Sequence, residues 1–155
     1  MTIQLRKILL PTDFSDYSTA AKSYACELAV KFGAELHLLH TLEHHYSLTP
    51  EFGLGFAMPT ETSESKATAE KALFTFLDAG EPSTGKPVCQ VIEGSPKVEI
   101  VRYARAESID LIVISTHGRT GLSQMLIGSV AETVVRTAPC PVLTVRPQGH
   151  QFVMP

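Results

Sequence analysis

Apolar residues are arranged along this chain in two alternating ways: short unbroken runs, and stretches where they recur every third or fourth position. Residues 4–10 end in the run Ile8, Leu9, Leu10, which Pro11 and Asp13 stop, and read as a first, buried strand. Ser15 caps a helix in which Tyr17, Ala20, Ala21, Tyr24, Ala25, Leu28 and Phe32 mark a packing face, and Gly33 supplies a left-handed stop. Residues 35–41 are a second strand, and the polar stretch 43–63, with Pro50, Gly53, Gly55 and Pro59, reads as the one long loop. A second helix spans about residues 64–77 and closes near Gly80. A third strand follows at 88–92. Gly94, Ser95 and Pro96 start a third helix that turns Val98, Val101 and Ala104 inward. Residues 110–115 are apolar on both faces, the mark of a central parallel strand. Gly128 and Ser129 open a fourth helix through Ala138, with Val130, Ala131, Val134 and Val135 as its stripe, and Pro139 and Pro141 bracket a last strand at 142–145.

Five strands alternating with four helices predict an α/β fold: an open, doubly wound, five-stranded parallel sheet with helices on both faces. At 155 residues the chain supports one core, so residues 1–147 are expected to be one domain and 148–155 a flexible tail. With 44% apolar and 19% charged residues, the composition is globular. The formal charge is −3 and the basic residues are scattered, which argues against nucleic acid as a partner. No run approaches the roughly 18 apolar residues a membrane helix needs. Three cysteines without a C-x-x-C pair imply neither disulfides nor structural zinc, and a cytoplasmic setting is expected.

Candidate chemistry collects at two strand ends. The first strand runs out into Pro11, Thr12, Asp13, Phe14 and Ser15; the fourth runs out into Ser115, Thr116, His117, Gly118, Arg119, Thr120 and Gly121, with Gly128 and Ser129 further on. In a doubly wound sheet, ligands bind beyond the carboxyl ends of the strands where the strand order reverses. A glycine-bearing loop leading into a helix start is a phosphate cradle, because unpaired amides converge there on the positive end of the helix dipole. Ser129 and Val130 are placed to donate such amides, and Gly118 and Gly128 to allow close approach and positive φ.

The segments I-L-L-P-T-D-F-S, I-E-G-S-P, S-T-H-G-R-T-G-L-S-Q-M-L-I-G-S-V-A-E-T-V-V and A-P-C-P-V-L-T-V resemble the universal stress protein family over about residues 7–145. The resemblance implies strand order 3-2-1-4-5 and a homodimer paired through the last strand. Nucleotide-binding members carry Gly, two residues, Gly, nine residues, then Gly-Ser or Gly-Thr; this chain has Gly118, Gly128 and Ser129 but Ser115 at the first position. What is implied is an adenine nucleotide, ATP or AMP, with Mg2+ on the phosphates. Asp13 would contact the adenosine end and the Thr41 backbone the adenine edge, while Ser115, Gly118, Gly128, Ser129 and Val130 would hold ribose and phosphates. Pro11, Thr12, His117 and Arg119 complete the candidate site.

Each signal has a plainer reading. Asp13 serves equally as a turn or capping carboxylate, and Arg119 as a solvated loop residue. His37, His40, His44 and His45 fall within nine residues, but alternation on a strand sends His37 and His40 to opposite faces; they read as solvated or rim histidines instead of metal ligands. The aromatic residues Tyr17, Tyr24, Phe32, Phe74 and Phe76 read as core. No nucleophile elbow, H-E-x-x-H or P-loop lysine motif occurs, so binding is expected without rapid turnover, with at most slow ATP hydrolysis. The expected function is a nucleotide-binding, stress-response regulatory protein with an unidentified protein partner. The alternatives are a dimeric interaction protein of the same fold that binds no nucleotide, and a slow ATPase.

Overall fold

The unbroken apolar runs form the inner strands of one sheet. In the computed structural model, which describes residues 3–43, 46–48, 57–59, 66–77, 85–117 and 127–146, the elements along the chain are β1 (Lys7–Pro11), α1 (Asp16–Phe32), β2 (Glu35–Leu42), β3 (Tyr46–Leu48), β4 (Ala57–Pro59), α2 (Lys66–Phe76), β5 (Val88–Glu93), α3 (Pro96–Ala106), β6 (Leu111–Ser115), α4 (Ser129–Thr137) and β7 (Val142–Val145). The main sheet runs β5-β2-β1-β6-β7, all neighbours parallel. Counting only its five strands, this is the 3-2-1-4-5 order, with the reversal between β1 and β6. The expected strand boundaries shift by a few residues: β1 begins at Lys7 because the amides of Arg6 and Lys7 are held by Asp110 Oδ2 (2.7 and 2.9 Å), which aligns the chain with the entry to β6.

Alternation along the strands splits the core in two. Ile8, Leu10, Leu36, Leu38 and Val113 pack under α1 and α2; Leu9, Leu39, Ile112 and Ile114 pack under α3 and α4. α1 buries Ala21 and Ala25 of its expected stripe, together with Ser18, Lys22, Cys26 and Ala29, while the aromatic members Tyr17, Tyr24 and Phe32 are exposed, Tyr24 at 56%. Small side chains bring the helix axis close to the sheet, and the bulky ones flank it. Phe74, Val98 and Val135 likewise face outward, against expectation, whereas Phe76, Val101 and Val130 pack against the core as partly buried residues. Ser15 caps α1 and Gly33 (φ +65°) ends it, as the sequence implied. The stretch read as one long loop contains an antiparallel ribbon, β3 paired with β4, because three residues on each side suffice for a ladder. Gly80 and residues 147–155 lie outside the described residues.

The two β2 histidines are buried, which corrects the expectation of rim residues: His37 is 1% and His40 3% exposed. They do point to opposite faces. His37 Nδ1 lies 2.8 Å from Tyr103 Oη on α3 and its Nε2 2.6 Å from Glu35 Oε1, so both ring nitrogens are satisfied beneath the sheet. His40 faces the α1 side. Cys89 and Cys140 have thiols pushed up by burial, which makes them poor nucleophiles.

Two predictions follow from this packing. Gly94 (φ +145°) joins β5 to α3, and a Cβ there would lie 2.9 Å from Glu99 Cγ. Gly94→Ala is expected to lower unfolding stability by about 1–3 kcal/mol in urea denaturation. An unchanged midpoint would show that this turn relaxes freely. Burial, with the charges of Glu107, Glu35 and Cys89 adding to it, pushes the Tyr103 phenol up to about 12. Folding favours its neutral form, so the associated stability is complete below about pH 10, the unfolded value, and is lost as pH rises toward 12. Thermal melts across that range should show a decline that Tyr103→Phe flattens; an equal decline in both chains would contradict the assignment.

Candidate functional site

The site begins with a proline. β1 pairs with β6 only at Ile8 and Leu9, and with β2 as far as Pro11. Because the Lys7 carbonyl accepts from Asp110 N and the Thr12 amide donates to the Leu39 carbonyl, odd residues of β1 face β6 and even ones face β2. Pro11 therefore stands where a ladder to β6 would need an N–H it does not have, and there the two strands part. Continuing the registers places Thr41 of β2 and Ser115 of β6 on either side of residues 12 and 13. Thr41 shares the orientation of Leu39, so its N–H and C=O face the space beyond β1. Ser115 faces it from the other side, since the neighbouring Thr116 amide turns away to the Val145 carbonyl.

The turn out of β1 is tightly held. Thr12 is buried; its Oγ1 accepts from the Phe14 amide (3.0 Å) and lies 3.0 Å from Ser18 Oγ, and its carbonyl takes a hydrogen bond from His40 Nδ1 (2.8 Å). Phe14 has φ +61°, a left-handed conformation that a residue with a Cβ adopts only when its surroundings fix it. Here the fixing groups are His40, its ring centroid 4.3 Å from that of Phe14, and Phe76 at 6.0 Å. Asp13 Oδ1 accepts from Ser15 N (3.0 Å) and Ser15 Oγ (2.6 Å), so the carboxylate fulfils the turn role given as its plainer reading. Lys22, buried on α1, donates to the Phe76 carbonyl at the end of α2 (3.2 Å) and ties that helix to the same turn.

Across the gap, β6 ends in buried Ser115 and Thr116. Ser115 Oγ accepts weakly from the His117 amide (3.4 Å), Thr116 Oγ1 lies 2.9 Å from His117 Nδ1, and the His117 ring stands 6.0 Å from that of Tyr17 on α1. α4 is docked onto this strand end by Gly128 N, which donates to the Thr116 carbonyl at 2.6 Å. Gly128 has φ −66°, so positive φ is not its reason for being glycine, which corrects the sequence reading. Close approach is: a Cβ would lie 3.0 Å from the Thr116 carbonyl oxygen. As the N-cap, Gly128 offers no side chain to the first helical amides, those of Ser129 and Val130 among them, and this open end of the dipole suits an anion.

The structure thus brings Pro11, Thr12, Asp13, Thr41, Ser115, His117, Gly128, Ser129 and Val130 to one rim of the sheet, at the reversal of strand order. Gly118 and Arg119 lie outside the described residues, as do His44 and His45. Sequence reasoning gave Phe14 and His40 no role in the site, although both hold the turn beside it. The available signal was a histidine inside an apolar strand at the level where β1 meets its proline. Polyphosphate chemistry fits the groups present: main-chain amides at a helix start, a histidine beside them, and a carboxylate opposite for hydroxyl groups. No group of three or more metal-ligating side chains occurs among the described residues, and no helix among them is long and apolar enough to cross a membrane.

Known proteins share this fold. A universal stress protein of Methanocaldococcus jannaschii is 37% identical over 147 residues, covering 91% of this chain and 82% of its own length. The solved structure of universal stress protein UspA from Lactobacillus plantarum superposes with a TM-score of 0.74 at 26% identity, covering 94% of this chain and all of the other. A universal stress protein family protein from Arabidopsis thaliana, solved with AMP bound, shares the fold at a TM-score of 0.59 and 21% identity, over 93% of both chains. With the universal stress protein family model matching residues 4–146, this chain belongs to the universal stress protein family.

Proposed function

We propose that this chain binds an adenine nucleotide, AMP or ATP, as a regulatory ligand in the crevice where β1 and β6 part. The observation that carries the reading is the set of main-chain groups around that gap: the Thr41 edge on one side, the Ser115 edge on the other, and the open start of α4. A planar base with donors and acceptors along its edge complements the Thr41 N–H and C=O. Asp13 takes the ribose hydroxyls, while Pro11 and Thr12 form the floor. The amides of Ser129 and Val130, with His117, Gly118, Gly128 and Arg119, hold the phosphates, and Mg2+ accompanies ATP through its phosphate oxygens and waters. The AMP bound to the Arabidopsis relative supports the ligand class. Any hydrolysis is slow, and the ligand acts by stabilising the loop after β6, whose state a protein partner reads in a stress response.

One observation favours the reading without nucleotide: the buried Ser115 hydroxyl engages the His117 amide and occupies part of the rim. Calorimetry decides between the two. AMP or Mg-ATP is expected to bind with a dissociation constant below about 1 mM. Asp13→Asn keeps the acceptor used by Ser15, and with it the turn, but loses the charge, and should weaken binding about tenfold or more. Gly128→Val should weaken it at least as much by pushing α4 off the Thr116 carbonyl. No heat from either nucleotide at millimolar concentration would sink the proposal.

A homodimer belongs to the same reading. β7 is the terminal strand of the sheet, and pairing it with the β7 of a second copy about a two-fold axis satisfies its outer edge. Sedimentation equilibrium should give twice the chain mass at micromolar concentration, and Thr144→Pro should shift the chain to monomer; a monomeric parent chain would refute the dimer.

A further inference from the structure

We infer that His40 sets the nucleotide site by ending the β1–β2 ladder one bond early, which keeps the Thr41 N–H available to a ligand; this rests on the nucleotide reading above. In a parallel ladder, a residue that donates its amide to one neighbour residue accepts at its carbonyl from the amide two positions further along that neighbour. Thr12 N donates to the Leu39 carbonyl (2.9 Å), so the Thr12 carbonyl is due the amide of Thr41. It does not receive it. Pairing of β1 with β2 stops at Pro11 and Leu39, and the Thr12 carbonyl accepts from His40 Nδ1 at 2.8 Å instead.

The substitution has a cause in the turn. His40 is buried on the α1 side with its ring tilted 31° against Phe14, and Phe14 is left-handed at φ +61°. Stacking and donation by one imidazole thus hold the residues on both sides of Asp13, and the Thr12 carbonyl is taken by the ring in place of the ladder amide. The Thr41 amide is left pointing into the gap above β1, where a ring nitrogen of adenine would meet it. His40 touches no ligand in this scheme: it is a positioning residue. Because Nδ1 carries a proton in the cation and in the Nδ1–H tautomer alike, the arrangement does not require a particular charge state.

The test is hydrogen exchange by NMR on the full chain, resolved at the Thr41 amide, together with AMP calorimetry. Without nucleotide, the Thr41 amide is expected to exchange at least tenfold faster than those of Leu38 and Leu39, and saturating AMP should slow it. His40→Phe keeps the ring against Phe14 but removes the donor; the ladder should then close, with slower Thr41 exchange in the free chain and AMP affinity reduced about tenfold. His40→Asn, which can donate from the position of Nδ1, should restore both values most of the way. A loss of fold in His40→Phe would speed exchange throughout β2, and the Asn variant then carries the comparison. A Thr41 amide as protected as its neighbours in the free parent chain would overturn the inference whatever the nucleotide does. Fast Thr41 exchange with no AMP binding would instead remove the nucleotide reading and leave His40 as the ladder stop.

Discussion

The geometry of the rim depends on one missing hydrogen-bond donor. A parallel sheet strands its backbone polar groups unless neighbouring chains pair along their length, and burial makes each orphan costly, on the order of 1–3 kcal/mol. β1 is the hub of this sheet, flanked by β2 and β6, and everything buried beneath it depends on that pairing. Pro11 ends the obligation toward β6 at the level where the strand leaves the core, because a residue without an N–H cannot continue the ladder. The strands can then diverge without leaving a buried donor unsatisfied. Where the pairing stops, at the reversal of strand order, the main-chain groups of Thr41 and Ser115 face the space beyond β1 from either side.

A gap of this kind collapses unless both sides are held. The β1 side is held by Thr12, whose amide, carbonyl and hydroxyl are all engaged, and by the stacked set of Phe14, His40 and Phe76. Lys22, donating to the Phe76 carbonyl with its ammonium 5.3 Å from the Phe76 ring centroid, draws α2 into the same cluster. The strained φ of Phe14 is thus maintained by packing contributed by two helices and a strand, which is how a conformation costing about 1–3 kcal/mol persists in a folded chain. On the β6 side, the short bond from Gly128 N to the Thr116 carbonyl fixes where α4 begins. Neither support consumes the groups that face the gap.

The architecture was readable because apolar runs and helical periodicity are long-range signals. Two-sided runs at Ile8 to Leu10 and over 111–115 place β1 and β6 in the interior, and Ser15, Gly33 and Pro96 mark helix ends by their own chemistry. Which face of each helix is buried was harder to read. On α1, the face read from periodicity mixes aromatic residues with Ala21 and Ala25, and only the closeness of helix to sheet selects the small side chains, Ala29 among them. At the rim, the strand ends and the glycine before α4 were legible, but the reason for Gly128 was not, since a φ of −66° and a carbonyl 3.0 Å from a would-be Cβ are tertiary facts. The histidine in an apolar strand marks His40 as unusual, but its partner was not legible, because its bond to Thr12 spans 28 positions.

A rim made mostly of main-chain groups makes unusual demands on sequence. Every residue but proline supplies an N–H and a C=O, so Thr41, Ser129 and Val130 contribute to the rim through atoms that most substitutions leave in place. The constraint concentrates where the side chain itself decides the backbone path: a proline that must not donate at 11, a glycine at 128 that must admit a carbonyl, and a glycine at 94 with φ +145° against Glu99. Ser115 lies between these categories. Its backbone orientation is fixed by the β6 ladder, but its hydroxyl engages the amide of His117, a group at the mouth of the crevice. At 3.4 Å that bond is long, so it holds the His117 amide only weakly. The serine therefore modulates the rim without closing it.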